Sequence, residues 1–107
     1  MHFKIGNTLA QRIINRIIRS YRLKKIIVFG SYARGDIHQG SDLDLVIIKN
    51  TKEKFLKRME RVLDLCHGEI AVEPLIYTEA EFKKMINEGN KFSETVVDED
   101  KAVYERK

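Results

Sequence analysis

The sequence predicts an α+β fold, a small mixed β-sheet flanked by helices, formed by residues 1–107 as one domain. Three observations carry that reading. Two short apolar runs, residues 26–29 and 43–48, are rich in β-branched side chains and too short for helices. Two other stretches, residues 9–21 and 55–66, repeat apolar positions at helical spacing. No internal repeat, low-complexity tract or Pro/Gly/Ser linker divides the chain, and 43% hydrophobic content is enough for one modest core.

The first helix is predicted over residues 8–21. Leu9, Ile13, Ile14, Ile17, Ile18 and Tyr21 fall on one face with Arg12, Arg16 and Arg19 on another, and Asn7 or Thr8 supplies the capping oxygen. The run at 26–29, stopped by Gly30, suits a buried strand, as does the run at 43–48. Between them SYARGDIHQGS is poor in apolar residues and holds two glycines, which marks a turn with one helical turn inside it. Phe55, Leu56, Met59, Val62, Leu63 and Cys66 give the stripe of a second long helix and read as core. Lys52, Lys54, Lys57, Arg58 and Arg61, interleaved with Glu53 and Glu60, read as its solvated face.

A third strand, residues 70–77, contains Pro74, whose missing N–H assigns it to an edge or a bulge. Thr78 followed by Glu81 is a capping-box pattern opening a helix to about residue 88, with Gly89 as its stop. Residues 92–97 suit more helix, and residues 102–105 a short last strand.

Composition excludes several classes. The single Cys66 forbids an internal disulfide, no Cys/His cluster has zinc-ligand spacing, and no run of about 18 apolar residues exists, so a non-exported cytoplasmic protein is expected. The net charge of +4 is unevenly spread: residues 1–35 hold eight Lys or Arg and no acid, which leaves 12 basic and 16 acidic residues beyond them. The basic end suits a polyanion or an acidic protein surface, or is simply a solvated helix face. Aromatic residues do not interleave with the basic positions, so nucleic acid is not expected as a direct ligand.

The chemically informative segment runs from Gly30-Ser31-Tyr32-Ala33-Arg34-Gly35-Asp36 to Ser41-Asp42-Leu43-Asp44-Leu45. Strand alternation sends Asp42 and Asp44 to one face while Leu43 and Leu45 point to the opposite layer. Two adjacent carboxylates repel unless a cation neutralises them, and Mg²⁺ prefers carboxylate oxygens together with substrate phosphates. Two such ions about 4 Å apart clamp the attacking and leaving oxygens of an in-line displacement at phosphorus. Glu73, inside the apolar run IAVEPLIY, is the candidate third ligand, because an unpaired charge buried there would be costly; the alternative is an edge-strand Glu reaching solvent. It is also a candidate base for the attacking hydroxyl. Gly30 permits close backbone approach to a phosphate, Ser31 adds a hydroxyl and an amide, and Arg34 offers paired donors to phosphate oxygens unless it is an exposed loop arginine.

Gly30-Ser31, ten intervening residues and Asp42-Leu43-Asp44 resemble the signature of the DNA polymerase beta-type nucleotidyltransferase superfamily. The string GSYARGDIHQGSDLDL is especially similar to the minimal nucleotidyltransferases, the MNT or MntA-type antitoxins whose genes often adjoin a HEPN-domain ribonuclease toxin. The resemblance covers most of the chain. It implies a palm-like nucleotidyltransferase fold, ATP as donor, Mg²⁺, and adenylylation of a partner protein, with a HEPN toxin as the leading acceptor. By the same match Asp42 and Asp44 would be metal ligands, Gly30 and Ser31 triphosphate contacts, and Glu73 the third ligand, where the family often has Asp.

Two other functions fit the chain: transfer to a small hydroxylated molecule, with a second copy completing the pocket, and a non-catalytic module that neutralises a toxin by contact. Gly30, Ser31, Asp42 and Asp44 are all present, which argues against a decayed site. His2, His38 and His67 lie far apart in sequence and only His38 is near the loop, where a nucleotide contact is its minority reading; Asp36 suits a turn, the orienting of Arg34, or a contact with base or ribose. Cys66 and Tyr104 read as packing residues.

Overall fold

A computed structural model of the protein describes residues 5–38, 40–99 and 101–106; His2 lies outside them. The elements are α1 (Thr8–Ser20), β1 (Lys25–Phe29), α2 (Ser31–Arg34), β2 (Leu43–Ile48), α3 (Phe55–Cys66), β3 (Val72–Tyr77), α4 (Glu79–Asn87), α5 (Lys91–Glu99) and β4 (Ala102–Glu105). The strands form one mixed sheet in the order β3-β2-β1-β4. β1 runs antiparallel to β2 and β4, while β2 and β3 are parallel, with α3 as the crossover that a parallel pair requires.

Strand alternation divides the core in two. Ile26 and Val28 of β1, Leu43, Leu45 and Ile47 of β2, and Ile76 of β3 face the helical residues Ala10, Ile13, Ile14 and Ile17 of α1 and Val62 and Cys66 of α3. On the opposite side Ile27, Val46 and Ile48 pack with Phe82 of α4, Val96 of α5 and Ala102. The sheet is thus covered on both faces, and its two central strands read as continuous apolar runs for that reason.

Local signals set the boundaries. The Asn7 side chain accepts from the Ala10 amide at 2.9 Å and caps α1. Thr78 and Glu81 close a full capping box on α4. Pro74 lies on β3, at the end of the sheet, where a missing donor has no second neighbour to disappoint. The third strand starts at Val72, two residues later than expected, and the helices α4 and α5 are separate.

The stripe on α3 differs from expectation. Leu56 is 73% exposed and Leu63 43% exposed, whereas Arg58, Val62 and Cys66 are buried. Residues 58, 62 and 66 succeed one another at four-residue spacing, so they form the row facing the sheet, and Arg58 occupies a core position despite its charge. Its guanidinium makes four hydrogen bonds: Nε donates to the Glu53 carbonyl at 2.8 Å, and Nη1 to the Ile76 carbonyl at 3.1 Å. Nη1 and Nη2 also reach the Glu81 carboxylate at 2.6 and 3.2 Å. Among the described residues no helix is long and apolar enough to cross a membrane.

Candidate active site

The topology brings three segments to one end of the sheet. β1 ends at Phe29, β2 begins at Leu43, and β3 begins at Val72. Because β1 is antiparallel to β2, Phe29 pairs with Asp44; because β2 is parallel to β3, Asp44 pairs with Glu73. Phe29, Asp44 and Glu73 therefore form one row across three strands. In-register residues share a face, so the row lies on the side covered by α4 and α5. Asp42 immediately precedes β2 and is exposed; it is the residue before the strand, not a part of it.

The row is an acidic cluster. The Asp44 carboxyl is pushed up to about 6 from 3.8, first by partial burial, then by the charges of Glu73 and Asp42 and a hydrogen bond with Glu73; Arg34 opposes the shift. Two carboxyl groups share a hydrogen bond when one holds the proton, which is the state such crowding favours. Glu73 itself is exposed on the edge strand, so the expectation that it is a buried charge fails. The apolar letters around it belong to the alternate positions Pro74 and Ile76, which are buried on the other face.

Gly30 supplies the turn out of β1 at φ 72° and ψ −153°, a conformation that side chains disfavour. A Cβ there would collide with Asp44 Oδ2 and lie 3.3 Å from its Cγ, so the absence of a side chain is what lets the turn lie against the carboxylate. The Gly30 carbonyl accepts from the amides of Ala33 and Arg34, both at 3.1 Å, and starts α2. Ser31 is the first residue of that helix and Arg34 its last. Arg34 is 60% exposed, with Nε 3.5 Å from Asp36 Oδ2. Gly30 and Arg34 together form part of the wall of a cavity of about 410 Å³, completed by α5.

Gly30, Asp42, Asp44 and Glu73 are thus brought to one place, with Ser31 and Arg34 along α2 beside it. Among the described residues no three His, Cys, Asp or Glu side chains are gathered closely enough to hold a metal ion. The donor chemistry is nevertheless of the kind a hard divalent cation prefers: the groups are all carboxylates, and the charges of Glu73 and Asp42 add to burial in raising Asp44. The cavity wall from α5 has no counterpart among the sequence expectations. Phe92, Thr95 and Val96 belong to no motif, and only the packing of α5 beside Gly30 reveals them. His38 exchanges hydrogen bonds with Ser41, its amide with Oγ at 3.0 Å and its carbonyl with the Ser41 amide at 3.0 Å, which closes the loop leading to Asp42. Cys66 is buried and its thiol is pushed up by that burial, as an inert core position requires.

A mixed sheet whose Gly-Ser turn abuts a row of carboxylates is the architecture of a nucleotidyl-transferring catalytic domain. Residues 11–107 match the family described as "Polymerase beta, Nucleotidyltransferase", and the chain belongs to that family. It is 32% identical over 102 residues to "Putative protein adenylyltransferase MJ0604" of Methanocaldococcus jannaschii, covering 88% of this chain and 93% of that protein. "Putative protein adenylyltransferase MJ0141" of the same organism is 33% identical over 61 residues, 52% of this chain and 61% of the relative. A solved structure, described as a putative nucleotidyltransferase from Sulfolobus solfataricus, superposes with a TM-score of 0.55 at 26% identity, covering 71% of this chain and 69% of the other.

Proposed function

We propose that this nucleotidyltransferase moves AMP from ATP to a hydroxyl of a partner protein, with a HEPN-domain toxin as the acceptor that the minimal-nucleotidyltransferase signature points to. The observation that carries the reading is the abutment of Gly30 on the Asp44–Glu73 row with Asp42 beside it. The family supports nucleotide transfer, and the name of the relative that spans most of the chain supports a protein acceptor. The buried thiol of Cys66 is compatible with a reducing cytoplasm.

In this reading the tasks divide among the residues at the site. Gly30 allows the triphosphate to approach the backbone, and Ser31 and Arg34 donate to its oxygens. Asp42, Asp44 and Glu73 would hold Mg²⁺, which when bound neutralises the charge that develops on the phosphoryl oxygens. The acceptor oxygen attacks the α-phosphorus, the bond to the bridging oxygen breaks, and pyrophosphate leaves. Glu73, exposed on the edge strand, also takes the hydroxyl proton. The acceptor is presented by its own protein surface.

The test is incubation with ATP labelled at the α-phosphate, Mg²⁺ and the cognate polypeptide encoded beside this chain. Label should move to that polypeptide with the wild-type protein and not with Asp42→Asn. Label found on small hydroxylated molecules instead would overturn the protein acceptor, and neutralisation of a toxin by Asp42→Asn and Asp44→Asn alike would replace catalysis by contact.

A further inference from the structure

The second face of the sheet is covered by two nine-residue helices, and they leave a groove between them. Phe82 and Ile86 of α4 stand across from Val96 and Val97 of α5 over a hollow of about 360 Å³, floored by Ile27 and Ile48. A second hollow of about 290 Å³ shares Ile48, Phe82 and Ile86 with the first, so the two adjoin along one turn of α4. Ile86 is 40% and Val97 49% exposed, and both line the first hollow. Exposed apolar side chains that converge on one concavity mark a contact surface, which singly scattered ones do not. Lys25 and Lys83 are the cations of the lining and Glu79 its anion. Glu79 is already held by Lys24 at 2.9 Å and Asn50 at 2.6 Å, Lys25 meets Glu105 at 3.8 Å, and Lys83 has no ion pair among the described residues. The charge left over at the rim is therefore positive.

We propose that this groove is where the acceptor protein docks, and that it receives an amphipathic helix carrying two apolar side chains one turn apart beside an acidic flank. The inference rests on the transferase reading and adds to it the surface that holds the acceptor. Two adjoining hollows match two anchors at helical spacing, the mode in which a groove reads a helix. Lys25 and Lys83 meet the acidic flank, which fixes orientation and speeds encounter. Position ties the groove to the chemistry. Asp44, Val46 and Ile48 alternate onto one face of β2, so the groove floor lies roughly 13 Å along the strand from Asp44. A standard contact of about 800 Å² per partner is roughly 30 Å across, so one partner covers the groove and reaches the acidic row together. Val96, which also borders the cavity beside Gly30, is the wall between the two.

Ile86→Glu and Val97→Glu each place a charge in the groove from an exposed position that folding tolerates, so either decides the matter if the other does not fold. Leu56→Glu is the control, an exposed leucine on α3, which covers the opposite face of the sheet. Calorimetric titration of the full chain with the polypeptide encoded beside it should show affinity weaker by about tenfold or more in both groove variants, and within about twofold of wild type in Leu56→Glu. ATP affinity should stay within about twofold of wild type in all three, with thermal melts establishing that each is folded. Lys83→Glu should weaken binding of the polypeptide more at low salt than at high salt. Wild-type affinity in a folded groove variant, or an equal loss in Leu56→Glu, would overturn the docking site while label transfer keeps the transferase reading. Binding that the groove variants lose, with no label transferred by wild type, would overturn the transferase reading and keep the groove as a docking surface. Wild-type protein that neither binds nor labels the polypeptide would overturn both.

Discussion

Asp44 of β2 and Glu73 of β3 stand in register across a parallel ladder, and the Glu73 charge helps to push the Asp44 carboxyl up. The pairing follows from strand direction and register: α3 returns the chain parallel to β2, and the first residues of β3 lie beside the first residues of β2. Like charges held this way raise the affinity for a proton, and the same crowding suits a divalent cation.

That crowding predicts how Asp44 couples to stability. Its folded carboxyl is raised to about 6 from 3.8, so its favourable contribution is complete below 3.8 and is lost as pH rises through about 6. At neutral pH the charge therefore costs stability, on the order of 1 kcal/mol once screening of this partly exposed group is allowed for. Asp44→Asn should melt about 4 °C or more above wild type at pH 7.5, the difference closing below pH 4, while label transfer falls roughly 10²–10³-fold. Equal melting temperatures at pH 7.5 would refute the crowding.

Gly30→Ala should destabilise by at least about 2 kcal/mol, because it combines a positive-φ penalty with the collision against Asp44. Gly68→Ala is the control: Gly68 has φ +68° and nothing within 4 Å, so only the backbone penalty of about 1 kcal/mol applies. Chemical denaturation of the two variants side by side measures the difference, and equal losses would mean that the turn does not abut the carboxylate.

Arg58 joins three elements, and its removal leaves the Glu53 and Ile76 carbonyls and the Glu81 carboxylate without their donor. Arg58→Ala should cost about 3 kcal/mol. Glu81 is held below the ordinary carboxylate value, first by its hydrogen bond to Arg58, so the stability it confers is present above its usual value of 4.5 and is lost as pH falls below that. Wild type should thus lose stability between pH 5 and acid more steeply than Arg58→Ala, as pH-dependent denaturation midpoints would show.

On α3, Leu56→Glu should change stability by less than about 0.5 kcal/mol, since the side chain is 73% exposed. Val62→Ala, at a fully buried position on the same helix, should cost about 2 kcal/mol. Thermal melts of both variants check the rotation of the helix, and a large loss at Leu56 would contradict it.

Much was legible in the sequence. Apolar runs marked β1 and β2, the Asn7 and Thr78 caps fixed two helix starts, and Pro74 marked an edge strand, because each signal is a local property of the backbone. The Gly30-Ser31 and Asp42-Leu43-Asp44 spacing was equally local, and the meeting of those segments needed only a hairpin-like pair of strands. Arg58 and Leu56 exchanged their expected places because a helix's rotation is chosen by what packs against it, and the carbonyls and carboxylate that satisfy Arg58 come from residues 53, 76 and 81. Glu73 could be named from its apolar neighbours, yet its standing beside Asp44 was decided by the parallel register of an edge strand. The cavity wall from α5 is of the same kind: Phe92 is more than sixty residues from Gly30, and only the covering of the sheet's second face joins them. Local periodicity and spacing encode elements and motifs; which distant side chains become neighbours is settled by packing, whose energy no single segment contains.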